Sequence, residues 1–295
     1  MGTYLLAQET MKAVITAANP QHRNLPVQTL SDPTGQPVPL LGLHLRDLDA
    51  AGIQEVAVIH HPDDGDLYRA AAGAYGPRLT LIAQDEPRGF GDAVLRARAF
   101  AGAESFVLLV CDHLFLSRST ERNCIGQLLD HYAKLKLPVS AVQSTHESQV
   151  TRFGVVSGEP SGQHPGVYRV REVREKPTPT EAELHMRVPG NRSGYYLGFF
   201  GIHVLTPEVF AILERQAEGE GKLGLSPALD ELARKGHLHA ALLEGSRFDL
   251  EGEYGLLQAQ LAMALSGPNR ESVLAHLVRI LAETEGGPEA GPLNR

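Results

Sequence analysis

Cys111-Asp112-His113 follows directly on Phe106-Val107-Leu108-Leu109-Val110, a strongly apolar run. An aspartate at the end of a buried strand can present its carboxylate to Mg2+, a hard cation that prefers oxygen ligands and bridges to phosphate oxygens. The same residue can equally serve as a turn or helix-cap aspartate. Asp249, in Arg247-Phe248-Asp249-Leu250, also follows an expected strand, and two aspartates from separate strand ends could share one ion. In Val173-Arg174-Glu175-Lys176-Pro177, Lys176 could neutralise a substrate phosphate and Glu175 could accept hydrogen bonds from sugar hydroxyls. The alternative is an ordinary solvated charged edge. From Gln84 to Gly91 a strand end runs through two glycines, Gly89 and Gly91, into a helical pattern. Glycines let the backbone approach a flat base or a phosphate, and a helix N-terminus offers free N–H groups; a plain turn would look the same.

Other chemistries find no support. The 13 histidines include no HExxH pattern and no Cys/His pair at zinc spacing, and Gly-x-Ser-x-Gly is absent. Two cysteines, Cys111 and Cys124, sit among apolar residues, which argues against a disulfide framework and for a reducing cytoplasm. A formal net charge of -8 argues against a nucleic-acid partner but leaves room for a phosphorylated small molecule held by local cations. No apolar run is long enough to span a membrane, and no signal peptide is visible. Ten residues precede a second methionine, Met11, so Met1 and Met11 are both possible starts.

The elements that must position these residues alternate. Strands are expected at 13–18, 55–59, 79–83, 106–110 and 139–143, and helices at 40–51, 67–74, 91–101 and 127–136. Strands alternating with helices at this spacing mean a parallel sheet covered on both faces. Beyond it the pattern is mixed. Antiparallel strands are expected at 153–156 and 167–173, then a polar loop with a short helix over 175–192 and strands at 195–204 and 238–244. Helices are expected at 207–215, 227–235, 251–264 and 271–283, and a disordered Gly/Pro-rich tail at 286–295. In open parallel sheets, ligands bind beyond the carboxyl ends of the strands. That brings 17–23, 84–91 and 111–113 to one edge.

In this order, these pieces resemble a sugar-1-phosphate nucleotidylyltransferase, most closely the bacterial UTP–glucose-1-phosphate uridylyltransferases, or UDP-glucose pyrophosphorylases. The anchors run from Met11-Lys12-Ala13-Val14-Ile15-Thr16-Ala17-Ala18 through Ala50-Ala51-Gly52-Ile53, Gly89-Phe90-Gly91-Asp92-Ala93-Val94 and Asp112. They continue through Phe153-Gly154-Val155-Val156, Glu175-Lys176-Pro177, the stretch Gly201–Pro207 and Asp249. The resemblance implies a GT-A-like α/β fold, with a Rossmann-like, mostly parallel central sheet flanked by helices and a smaller antiparallel sugar-binding part. It implies a nucleotidyltransferase domain over 11–265 with a C-terminal helix at 266–285. It implies UTP and glucose 1-phosphate as substrates, UDP-glucose and pyrophosphate as products, and Mg2+ as cofactor. By position, Ala17 and Ala18 would lie beside uracil and ribose, and Gln84 and Gly89 would read the base, with Gly91 at the adjoining turn. Asp112 and Asp249 would hold Mg2+. Gly154, Glu175 and Gly201 would line the sugar, Lys176 would grip its phosphate, and Arg23 would face the β- and γ-phosphates.

The chain departs from the family pattern at the phosphate loop. Asn19 and Gln21 stand where the resemblance calls for glycines, and Pro20 removes an amide N–H. No lysine lies between Lys12 and Lys134, and Cys111 replaces the glycine before the metal aspartate. Two readings follow: a divergent working uridylyltransferase, or a non-catalytic nucleotide-sugar-binding relative that acts through a protein partner. A glycosyltransferase would show Asp-x-Asp where this chain has Asp112-His113-Leu114. Val273, Leu274, Leu277, Ile280 and Leu281 share one side of the last helix; that side could serve a homo-oligomer, though packing on its own domain is the simpler expectation.

Overall fold

Ala13 and Ile15 face one side of the first strand and Val14 the other, and all three are buried, so β1 (Lys12–Thr16) sits in a sheet covered on both faces. The computed structural model describes residues 11–219 and 221–285; the tail at 286–295 lies outside them. The strands that follow are β2 (Thr29–Ser31), β3 (Pro37–Pro39), β4 (Val56–His60), β5 (Leu79–Ala83), β6 (Phe106–Val110) and β7 (His113–Ser117). After them come β8 (Val139–His146), β9 (Val155–Pro160), β10 (Val167–Arg174), β11 (Tyr195–Leu205), β12 (His239–Leu242) and β13 (Gly245–Asp249). The helices are α1 (Leu40–Ala50), α2 (Gly65–Ala71), α3 (Phe90–Arg96), α4 (Arg98–Ala101) and α5 (Cys124–Leu135). Then follow α6 (Pro179–His185), α7 (Glu208–Ala217), α8 (Ser226–Arg234), α9 (Gly255–Ser266) and α10 (Arg270–Glu285).

Nine strands form one sheet in the order β5-β4-β1-β6-β11-β8-β12-β10-β9. Pairing is parallel from β5 through β4 and β1 to β6. Past β6 it is mixed: β11 runs antiparallel to β6 and β8, β12 parallel to β8, and β10 antiparallel to β12 and β9. The antiparallel part is thus the far end of the same sheet. Alternation along each strand sorts the core. Val14 and Leu108 pack with α3, α7 and α8 on one face, while Ala13, Ile15, Val107 and Leu109 pack with α1, α2 and α5 on the other.

Several elements differ from the sequence reading. The helix expected at 91–101 is two, α3 and α4, broken at Ala97. The strand expected at 238–244 is β12 alone, and β13 follows as a separate strand paired antiparallel with β7. That ribbon puts Asp249 opposite His113. The helix expected from 251 starts only at Gly255, because Tyr254 stands at φ +58 and turns the chain. Residues 250–254 therefore form a turn at the end of β13. Helix α10 lies against α9. Leu274, Val278, Ile280 and Leu281 remain exposed on it, so the expected packing of its apolar side on its own domain is incomplete.

Candidate functional site

The β7–β13 ribbon builds the acidic end of the site. Leu250 N–H donates to the Asp112 carbonyl at 3.0 Å, so the two aspartates leave neighbouring strand ends together. His113 Nδ1 donates to Asp112 Oδ1 at 2.5 Å, and Arg152 Nη2 donates to Asp249 Oδ2 at 2.6 Å. Burial pushes the Asp112 carboxyl up, but the charge and hydrogen bond of His113, together with smaller lowering contributions, hold the group below its ordinary value. Glu251, in the turn after β13, moves the other way: burial raises it, and the charges on Asp112 and Asp249 add to the rise. Among the described residues, no group of three or more His, Cys, Asp or Glu side chains is arranged to hold a metal ion. The acid set on offer is the aspartate pair.

The loop after β1 is folded on itself. Asn19 Oδ1 accepts from Gln21 N–H at 3.1 Å and its carbonyl accepts from His22 N–H at 3.1 Å. Asn19 Nδ2 reaches Glu251 Oε1 at 3.2 Å, the same oxygen that lies 3.2 Å from His22 Nε2. Arg23 forms a two-pronged pair with Asp64, at 2.8 Å from Nε and 2.6 Å from Nη2. Asp64 is buried, which anchors the pair.

At the end of β5, Gln84 is 3% exposed, and its Nε2 donates to Asp92 Oδ2 at 2.6 Å and to the Gly89 carbonyl at 3.3 Å. Gly89 has φ +123, and a Cβ there would meet the Leu223 carbonyl at 2.6 Å, so only glycine fits. Gly91 is glycine for a packing reason. Its own Cβ would lie 2.5 Å from the Gly224 carbonyl, and its N–H donates to the Leu223 carbonyl at 2.8 Å. The turn thus docks on the 222–226 segment that leads into α8.

Across from it, a Cβ at Gly154 would lie 2.6 Å from the Phe199 ring and 3.1 Å from Glu175 Oε2. Glu175 Oε2 accepts from Ser226 Oγ at 2.5 Å. Lys176 follows at φ +46, a left-handed conformation uncommon for a residue with a side chain, held by its N–H to the Phe153 carbonyl at 3.1 Å. Behind them the buried Arg247 places its guanidinium carbon 3.4 Å from the centre of the Phe153 ring and donates from Nη1 to the Phe199 carbonyl. Burial lowers its pKa to about 9.

These segments enclose a cavity of about 430 Å3. Of the residues singled out in the sequence, Ala18, Gln84, Gly89, Asp112, Gly154, Glu175, Lys176, Gly201 and Asp249 line it. Ala17, Arg23 and Gly91 are not among its lining residues. The Ala17 carbonyl accepts from the Tyr68 hydroxyl at 3.1 Å, Arg23 is turned to Asp64, and Gly91 packs on Gly224. Asp92, Arg152, Ser226 and Glu251 are residues of the site that the sequence reading missed. Only Asp92, inside the glycine turn, carries a local signal. A wider groove of about 990 Å3, lined by Arg118, Arg122 and Lys134 among others, holds none of the paired aspartates.

The nucleotidyl transferase family model matches residues 7–249. A UTP–glucose-1-phosphate uridylyltransferase of Streptococcus pneumoniae serotype 4 is 31% identical over 218 residues, 73% of this chain and 69% of that protein. UTP–glucose-1-phosphate uridylyltransferase 1 of Streptococcus pyogenes serotype M1 is 32% identical over 206 residues, 68% of this chain and 64% of that protein. The chain spans about two-thirds of the length of these relatives. The crystal structure of a UDP-glucose pyrophosphorylase complexed with UDP-glucose has the same fold, with a TM-score of 0.70 at 21% identity over 85% of this chain and 97% of the other. The family match runs from just before β1 to the second aspartate, the stretch that builds most of the cavity, and the chain belongs to the nucleotidyl transferase family.

Proposed function

We propose that the chain transfers a uridylyl group from UTP to glucose 1-phosphate, giving UDP-glucose and pyrophosphate. The observation that carries this reading is that Asp112, Asp249 and Lys176 line one cavity together with Gln84, Gly89, Gly154, Glu175 and Gly201. An oxygen of the sugar phosphate attacks the α-phosphorus in line, the new P–O bond forms, and the bond to pyrophosphate breaks. The nucleophile is already an anion, so no general base is required; positioning and charge neutralisation do the catalysis. Gln84 presents an acceptor to the base, Glu175 accepts from sugar hydroxyls while Ser226 holds it, and Lys176 meets the sugar phosphate. In this reading residues 11–265 are the transferase domain and 266–285 a helical extension.

Two carboxylates at adjacent strand ends suit Mg2+ in the manner of sites that take few protein ligands and complete the shell with phosphate and water. Asp112 and Asp249 would hold it, with Arg152 giving up its contact to Asp249. When bound, the ion would neutralise charge on the phosphates.

The second reading, a nucleotide-sugar binder without turnover, draws on the loop at 19–23, where the Gln21 and His22 amides and the Arg23 side chain are engaged inside the protein. Running the reaction backwards separates the two. Purified protein given UDP-glucose, pyrophosphate and Mg2+ forms UTP and glucose 1-phosphate if it is a transferase; binding of UDP-glucose without UTP formation favours the binder.

A further inference from the structure

Glu251 lines the cavity, and the mechanism above gives it no task. Its Oε1 accepts from Asn19 Nδ2 at 3.2 Å and lies 3.2 Å from His22 Nε2. It lines the same cavity as Asp112, whose charge it feels. Several other donors of that loop are committed. Gln21 and His22 N–H groups bond to Asn19, Pro20 has no N–H, and Arg23 is paired with Asp64. An acidic side chain therefore takes the Asn19 side-chain donor and covers the His22 ring nitrogen, the two groups that a phosphate entering over this loop would meet. A nucleoside triphosphate needs that space for its terminal phosphates. A nucleoside diphosphate sugar has one phosphate fewer and continues instead toward Gly154 and Glu175.

We propose that Glu251 is a specificity-determining residue, an internal competitor for the terminal phosphates of UTP that biases the cavity toward nucleoside diphosphate sugars. This rests on the nucleotide-sugar reading of the site. A bystander carboxylate on the surface would leave the ratio of the two affinities alone; a competitor sets it.

The test is calorimetric titration of the full chain with UTP and with UDP-glucose, in the wild type, Glu251→Ala and Glu251→Gln. The wild type should bind UDP-glucose more tightly than UTP. Glu251→Ala frees the Asn19 amide and uncovers His22, and should tighten UTP binding by about tenfold or more, the usual effect of regaining charge-assisted hydrogen bonds. Glu251→Gln keeps the side chain's size and its bond to Asn19 while removing the charge, so it should tighten UTP binding by a smaller factor. UDP-glucose affinity should stay essentially constant in both. UDP-glucose binding with UTP affinity unchanged or weakened in both variants overturns the proposal alone. Failure of the wild type to bind UDP-glucose at all overturns the nucleotide-sugar reading and the proposal with it.

Discussion

Gln84 Nε2 donates to Asp92 Oδ2 at 2.6 Å, and that bond decides which way the Gln84 amide faces. A carboxylate only accepts, so the nitrogen must turn to Asp92 and the carbonyl oxygen is left for the ligand. An acceptor in that place matches the N3–H of uracil and mismatches the acceptor N3 of cytosine.

Base selection should therefore depend on both residues. Gln84→Ala is expected to weaken UDP-glucose binding by about tenfold, the worth of one buried hydrogen bond. Asp92→Leu leaves only the longer bond to the Gly89 carbonyl to orient the amide and should erode the preference for UDP-glucose over CDP-glucose more than it lowers affinity. Titration with both sugar nucleotides checks this. A preference unchanged in Asp92→Leu would show that another group reads the base.

Lys176 combines a site side chain with a strained backbone at φ +46. A left-handed residue with a Cβ costs about 1 kcal/mol relative to glycine. Lys176→Gly should thus be as stable as the wild type or up to about 1 kcal/mol more stable, while kcat/KM for glucose 1-phosphate falls by roughly 10²–10³. Lys176→Ala should lose the same activity without the gain in stability. A glycine variant that unfolds earlier and keeps its activity contradicts the assignment.

His203 predicts a pH effect on stability. It is 2% exposed, its Nδ1 lies 2.8 Å from Ser140 Oγ, and burial lowers its pKa from 6.5 to about 4. The unfolded chain thus binds this proton more readily than the folded one. The associated stability is complete above pH 6.5 and is lost as pH falls from there through about 4, up to ~3 kcal/mol in all. His203→Gln does not titrate, so its unfolding free energy should fall less steeply over that interval. Parallel curves for the two proteins would rule the histidine out as the cause.

How much of this is legible in the sequence follows from the range of each interaction. The strand at 106–110 lies where the sequence puts it, because a continuous apolar run is the mark of a strand buried on both faces. β7 and β13 are not legible, since their register joins residues more than a hundred positions apart and neither run is strong alone. Without that ribbon, a resemblance can suggest that Asp112 meets Asp249, but no local pattern forces the two together. Arg23 illustrates the opposite limit: its type suits phosphate, yet Asp64, 41 residues on, captures it. Glu251 is hidden by an overlong expected helix, which Tyr254 at φ +58 in fact delays to Gly255. Gly91 has the local setting of a ligand glycine and is a packing glycine, a distinction set by Gly224, which comes from a distant segment.

The proposed transfer itself is tested most directly by pyrophosphate release from UTP and Mg2+, measured with and without glucose 1-phosphate, in the wild type and in Asp112→Asn. The account predicts release that depends on glucose 1-phosphate, matches UDP-glucose formed mole for mole, and falls by roughly 10²–10³ in Asp112→Asn. No release at high protein concentration, from a preparation that still binds UDP-glucose, would contradict it.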